Sequence, residues 1–350
     1  MNIGEIARRA GVSRSTVSYT LSGKRPVAPG TRKRIQDVID ELGYRPNATA
    51  RALKEGRTRT IGLVIPPAGS RLTHMQLEFV AGMADAAGRA DLDVLLSPSG
   101  GDHDRSFERL VSGSRVDGVI LMEIRLEDPR VGRLQQAGLP FVGIGHTAGD
   151  RQMCWIDIDY AGLIAHTVRH LADLGHRKVA LVNRSPELVA SGYGPAHRAR
   201  EGFAAALAER GLDGIEVPCG DDARSGQECL RTLLRAHPDL TAVTTINEAA
   251  LPGIQQALDD VGLTVPSDFS VTGVAALPWA EDFRPPLTAA DVPALDMAGK
   301  AVSLLVERIA APLTPPRHIL LAPPISLRSS TGAAPTHRLA RASGQVRDGR

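Results

Sequence analysis

The 350-residue sequence predicts a small all-α head carrying a helix-turn-helix, followed by an α/β body of two Rossmann-like lobes. Three observations carry that prediction. Apolar residues recur at helical spacing three times near the amino terminus, aliphatic runs alternate with amphipathic segments from residue 60 onward, and the charge divides unevenly. The chain totals +2, but residues 1–60 hold ten Arg and three Lys against five acids, a net +8. Residues 332–350 carry +3, leaving −9 on the middle. A basic head on an acidic body is the footprint of a protein that meets a polyanion at one end. It excludes a uniformly basic coating protein.

In the head, Ile3, Ile6, Ala7 and Ala10 fall at i, i+3, i+4 and i+7 and make one apolar stripe. Gly11 breaks it. Ser13 is placed to cap a second helix, whose Val17 and Leu21 face inward while Arg14, Ser15, Ser18, Tyr19 and Ser22 share the opposite face. A third helix is expected from Thr31 to Leu42, with Ile35, Val38, Ile39 and Leu42 repeating the spacing. Two short helices joined by a glycine turn have the helix-turn-helix outline. On the outward face, Arg14 can offer two donors to guanine, and the hydroxyls can serve phosphate or base edges; a solvated face is the plain alternative. Pro46 and Gly56 then bracket NATARALK, a helix of about two turns, too short to stand alone.

In the body, TIGLVIP, LDVLLSP, VDGVILM, PFVGIG, RKVALVN, AVTTIN and FSVTGV read as strands. Segments 76–90, 160–174, 196–210 and 247–261 read as helices between them. Such alternation predicts parallel sheets covered by helices, and its length predicts two lobes with a ligand cleft at the carboxyl ends of the strands.

The remaining features narrow the chemistry. Cys154, Cys219 and Cys229 are widely spaced, without CxxC, and read as free thiols. His166 and His170 lie four apart, but Thr167 stands where a zinc helix needs Glu, so no metal is expected. GIGHTA does not open a helix as a dinucleotide loop must. Asp159 reads as a helix cap rather than as half of a catalytic pair with Asp157. No cofactor and no enzyme chemistry are expected. The first ten residues lack the apolar stretch of a signal peptide, and no apolar run is long enough for a membrane span, which points to the cytoplasm. The last segment, 332–350, reads as a disordered basic tail.

GVSRSTVSYTLSG, TRKRIQDVIDELGYRPNATARAL and RTRTIGLVIP together resemble the amino-terminal signature of the lactose and galactose repressor (LacI/GalR) family of bacterial transcription regulators. The likeness continues through IDIDYAGLIAHTVRHLADLGHRKVALV to the closing ISLRSSTG. It implies a head over 1–45, a hinge helix and linker over 46–59, a two-lobed effector-binding and dimerisation core over 60–331, similar to periplasmic binding proteins, and the tail. It implies a homodimer bound to a palindromic double-stranded operator and controlled by a small-molecule effector, most often as a repressor. By position, Arg14, Ser15 and Tyr19 match the base readers and Ser13, Thr16 and Ser18 the backbone contacts. Asn47 matches the hinge asparagine and Leu53 the leucine wedged into the minor groove. Tyr19 departs from the family's usual Arg.

The same likeness places His74, Gln76, His146, Arg198, Arg200, Asn247 and Trp279 at the effector cleft. Departures are concentrated there. Ala275 and Ala276 replace an Asp pair, Ala199 replaces an Arg, and Gly145-His146 replaces Asp-Arg. With aromatics at 3% of the chain, stacking platforms for a hexose are scarce, so the expectation is an effector other than a plain hexose held in the common way, or a weak affinity. A binding protein without DNA regulation, or an enzyme using the same cleft, is the alternative from another class.

Overall fold

The computed structural model describes residues 3–22, 25–43, 56–66, 72–98, 104–149 and 151–336. The chain divides after Thr58 into two compact units.

The first unit contains α1 (Ile3–Ala10), α2 (Arg14–Ser22) and α3 (Pro29–Leu42). Pro29 sits in the first turn of α3, where a missing N–H costs nothing, so this helix starts two residues before the expected Thr31. Ile6, Ala7, Ala10, Val17, Ile35 and Ile39 form its buried centre, ringed by Ile3, Val12, Leu21, Val38 and Leu42. These are the stripe positions the spacing predicts. Gly11, at φ +66°, makes the turn between α1 and α2.

The second unit is two α/β lobes. The first lobe's sheet is built from β1 (Thr60–Ile65), β2 (Asp93–Pro98), β3 (Gly118–Leu121), β4 (Phe141–Ile144), β5 (Cys154–Ile158) and β11 (His318–Leu321), in the order β11-β5-β4-β3-β1-β2, all parallel. Its helices include α4 (His74–Arg89), α5 (Asp104–Ser112), α6 (Pro129–Gln136) and α13 (Ala294–Ala310).

The second lobe's strands are β6 (Lys178–Asn183), β7 (Asp213–Pro218), β8 (Ala242–Thr245), β9 (Ser270–Ala275), β10 (Thr288–Asp291) and β12 (Ile325–Ser326), ordered β12-β10-β9-β8-β6-β7. Only β12 runs antiparallel. Around them lie α7 (Tyr160–Asp173), α8 (Pro186–Ala190), α9 (Gly194–Arg210), α10 (Ala223–Ala236), α11 (Leu251–Asp260) and α12 (Leu277–Asp282).

The chain passes between lobes three times: after β5, after β10 and after β11. Each crossing leaves from or arrives beside a strand's carboxyl end, which is why the cleft forms there. Helices α7 and α9 pack closely because Gly202 has no side chain; a Cβ there would lie 2.0 Å from the carbonyl oxygen of Ala161.

All seven strands expected from aliphatic runs are present. The overlooked strands include β7, whose partly charged sequence lacks a continuous apolar run, and β11, whose short HILL alternates exposed with half-buried residues. Residues 247–261 do not form one helix: a 3₁₀ turn at Glu248–Ala250 precedes α11, with Pro252 in the first turn of that helix.

The boundary expected at residue 331 is also corrected. The Gly332 amide donates to Ser270 Oγ (3.1 Å) and the Ala334 amide to the Leu174 carbonyl (2.9 Å). Residues 332–336 therefore belong to the body rather than to a disordered tail, while 337–350 lie outside the described residues. Among the described residues, no helix is long and apolar enough to cross a membrane.

Candidate DNA-reading helix and effector cleft

In the head, Ser13 caps α2 as its position predicts. Its Oγ accepts from the Thr16 amide (3.1 Å) and shares a hydrogen bond with Thr16 Oγ1 (2.8 Å). The two hydroxyls thus cluster at a helix amino terminus, where unpaired N–H groups favour a phosphate. Arg14 and Ser15 follow in the first turn, both exposed. Arg14 makes no ion pair among the described residues. Ser18 and Tyr19 are half-buried, and the Arg25 guanidinium lies 5.2 Å from the Tyr19 ring centre.

Two acids of the head are occupied elsewhere. Glu5 binds Arg8 and Arg9, which hold its carboxyl down to about 2, and Glu41 binds Arg9. Arg14, Arg32, Lys33 and Arg34 stay exposed. Asn47 and Leu53 lie outside the described residues.

In the body, the facing strand ends enclose a cavity of about 50 Å³. The first lobe supplies Gln76, Glu123 and Asp157, and the second supplies Tyr160, Arg184, Tyr193 and Glu248, with apolar walls from Met75, Phe79, Met122, Ile144, Ile246 and Met297. Ligand pockets are commonly about 300–1,000 Å³; this cavity holds a few water-sized groups. It is small because the lobes are joined directly. The Met75 amide donates to Glu248 Oε1 (3.1 Å), and Arg198 Nη2 donates to the His146 carbonyl (2.8 Å). Backbone bonds link Leu126 to Gly192 and Gly194 to Ile124 (2.8 and 3.1 Å).

The polar side chains of the cavity are largely engaged with one another. Arg184 Nε and Nη2 donate to the two oxygens of Asp221 (2.9 and 3.2 Å). Burial works against the Arg184 charge, but Tyr193, Asp221 and Glu123 around it hold its pKa above the ordinary value. Its guanidinium lies 5.5 Å from the Tyr193 ring centre. Burial pushes the Tyr160 and Tyr193 hydroxyls up, so both remain neutral donors. Asp157 Oδ2 meets His146 Nδ1 (2.8 Å) and lies 3.5 Å from Arg198 Nη1, and its Oδ1 accepts from the Ile158 amide. Glu248 Oε2 accepts from the Ala276 amide (3.0 Å).

The seven residues expected at the cleft therefore separate. Gln76 lines the cavity: it closes a capping box with Thr73 at the start of α4 and donates from Nε2 to Glu123 Oε1 (2.8 Å). His146 and Arg198 stand behind Asp157, with His146 stacked at 4.3 Å on Trp155. His74 and Trp279, one from each lobe, meet edge to face at 5.2 Å, and the Trp279 Nε1 hydrogen is buried without an acceptor among the described residues.

Arg200 is not brought to the cavity. It grips Glu216 of β7 (2.6 and 2.9 Å), because the two steps along α9 from Arg198 turn a side chain from the cleft toward the sheet edge. Asn247 is also turned away; its Nδ2 donates to the carbonyls of Asn183, Cys219 and Gly220, tying three loops together. Sequence reasoning missed Glu123, Arg184, Tyr160 and Tyr193. Glu123 did carry a signal, as a charged residue directly after the apolar run VILM, where a strand's carboxyl end should open into a cleft.

Two family descriptions match the chain: "Bacterial regulatory proteins, lacI family" over residues 2–47, and "Periplasmic binding protein-like domain" over 168–331. The HTH-type transcriptional regulator AglR of Rhizobium meliloti is 31% identical, the match covering 96% of this chain and 95% of that one. The regulator CelR of Thermobifida fusca is also 31% identical, over 93% and 96% of the two chains. Among solved structures, a CelR–cellobiose complex is 29% identical with a TM-score of 0.70, covering 94% of this chain and 99% of that one. A Lac repressor dimer bound to operator superposes with a TM-score of 0.83 at 23% identity, over 95% and 99%, a likeness of fold. With relatives of this identity aligned over nearly its whole length, the chain belongs to the lacI family of bacterial transcription regulators.

Proposed function

We propose that this protein is a homodimeric repressor whose heads read two inverted half-sites of an operator and whose body releases or retains that operator according to a small molecule in the inter-lobe cleft. The observation that carries the reading is α2: a capped helix end with an exposed, uncommitted Arg14, on a head whose Glu5 and Glu41 are already paired with Arg8 and Arg9. Arg14, Ser15 and Tyr19 are assigned to bases. Ser13, Thr16 and Ser18 are assigned to phosphates. Asn47 and Leu53 are assigned to the hinge contact, where Leu53 would wedge a base step open. Relatives named for a ribose operon and a solved relative in complex with cellobiose support a carbohydrate or related metabolite as effector.

Such a ligand is larger than the present cavity. The bonds from Met75 to Glu248 and from Arg198 to His146 must then lengthen or break as it enters, and that movement is the differential interaction which shifts one state of the protein toward another. Because a short hinge helix is marginal by itself, a bias of a few kcal/mol suffices to form or melt it. The coupling is reciprocal, so operator must change effector affinity by the same factor.

The test is a footprint of the purified protein on its own upstream DNA, repeated over a salt series. Phosphate neutralisation by the +8 head predicts a protected palindrome and a loss of roughly a thousandfold in affinity between 50 and 200 mM salt. Absence of a protected site, or a flat salt response, rejects the reading.

A further inference from the structure

The polar groups of the cavity do not balance in charge. Arg184 is neutralised by Asp221, Asp157 by Arg198 and His146, and Glu248 accepts two backbone N–H groups. Arg130, the other cation near Glu123, is clamped on Asp128 (2.6 Å) and gives Nη2 to the backbone carbonyls of Met122 and Glu123. Among the described residues Glu123 has one side-chain hydrogen-bond partner, the neutral amide of Gln76. It is partly buried and lines the cavity. It also holds φ +52°, a left-handed backbone that a non-glycine residue adopts at a cost. A partly buried carboxylate lining a cavity, with one neutral side-chain donor and a costly backbone conformation, is a group awaiting a counter-charge.

Neutral hydroxyls would hydrogen-bond Glu123 and leave its charge uncompensated. No group of three metal-binding side chains occurs among the described residues, so a cation held by several protein ligands does not fit. We propose that the effector carries a protonated amine that seats on Glu123, as an amino sugar would, rather than being an uncharged sugar. The inference rests on the cleft being the effector site, as proposed above. Besides Gln76, the charged and titratable groups facing Glu123 are Arg184 and Tyr193 of the second lobe, Asp221 behind Arg184, and Arg130 of α6. Burial raises the Glu123 carboxyl above the usual carboxylate range despite Arg184 and Arg130. Lowering the pH therefore protonates Glu123 sooner than an exposed carboxyl, and affinity for an amine falls as it takes up its proton.

The experiment is calorimetry on the full-length protein with glucosamine and galactosamine, each beside its neutral parent hexose, from neutral to mildly acidic pH. The expected result is an amino sugar bound roughly a hundredfold tighter than its parent. That preference shrinks to a few-fold in Glu123→Gln, and the affinity of the unaltered protein drops toward acid pH. If Glu123→Gln fails a circular-dichroism check of folding, the pH profile of the unaltered protein carries the test. Equal or tighter binding of the neutral hexose overturns the inference, as does an amine preference that survives Glu123→Gln in the folded variant, or no binding of either amino sugar. Operator binding measured on the same preparation separates the two readings. A neutral sugar that binds and releases operator leaves the repressor standing and removes only the amine; a protein that binds no operator removes the repressor reading itself.

Discussion

The head and the cleft handle polar side chains in opposite ways. On α2 Arg14 and Ser15 are exposed, and Arg14 is uncommitted among the described residues. In the cleft almost every charged group is already engaged: Arg184 with Asp221, Asp157 with Arg198 and His146, Glu248 with two amides. The contrast follows from the two ligands. DNA brings a dense negative charge that draws cations from water at little desolvation cost, so readers can wait in solvent. A small molecule in a closed cleft must be met by groups already stripped of water, and each of these is tolerable in the empty protein only if another residue satisfies it.

That contrast is open to attack, most severely at the cleft. Arg184→Ala should break the largely buried Arg184–Asp221 pair, costing the body about 3–5 kcal/mol in urea unfolding. A midpoint indistinguishable from that of the parent protein would show the pair to be solvated and the contrast overstated.

His176 gives the next effect. It is buried between Thr241 and Ser270, and burial lowers its pKa to about 4. Between that value and the unfolded value near 6.5 the unfolded chain binds the extra proton, so the neutral imidazole's contribution is complete above about pH 6.5 and is lost as pH falls toward 4. The loss amounts to about 3 kcal/mol. Stability of the body measured against pH, in the parent protein and in His176→Gln, checks this: the variant should lose that part of the slope.

In the head the effects are smaller and concern choice more than stability. Arg14→Ala should cost about 1–3 kcal/mol of operator binding and relax base preference at one position of each half-site, read by a binding-site selection. Equal weakening on every sequence would make Arg14 a phosphate contact. Ser13→Ala removes the cap of α2 and should lower head stability by about 1 kcal/mol, seen in the helical thermal transition.

The head was legible because its determinants are local. Gly11, Ser13 and three apolar stripes act within a few residues of one another, and each sits where the spacing placed it. The sheet order was not legible: β11 joins β5 only after the chain has built a second lobe and returned, and nothing in HILL marks that partner. Arg198 and Arg200 show the limit within a single helix. Both are basic and two residues apart; one ties the lobes together behind Asp157 and the other grips Glu216 on the sheet edge. The difference depends on what each helix face meets, not on residue type.

From sequence alone came the basic reading head, the alternation that builds two parallel-sheet lobes, and the expectation of an altered effector cleft. Periodicity, capping and charge act over short stretches of chain, so they can be read in order along it. Tertiary structure alone decided which residues make up the cavity. Gln76, Glu123, Tyr160, Arg184, Tyr193 and Glu248 come from six separate segments that meet only when strand ends of both lobes converge. Their partners lie far along the chain: Glu123 accepts from Gln76, 47 residues away, and Glu248 from the Met75 amide, 173 residues away. The balance of a buried site is a property of the assembled fold, since desolvation begins only once the lobes have closed around it.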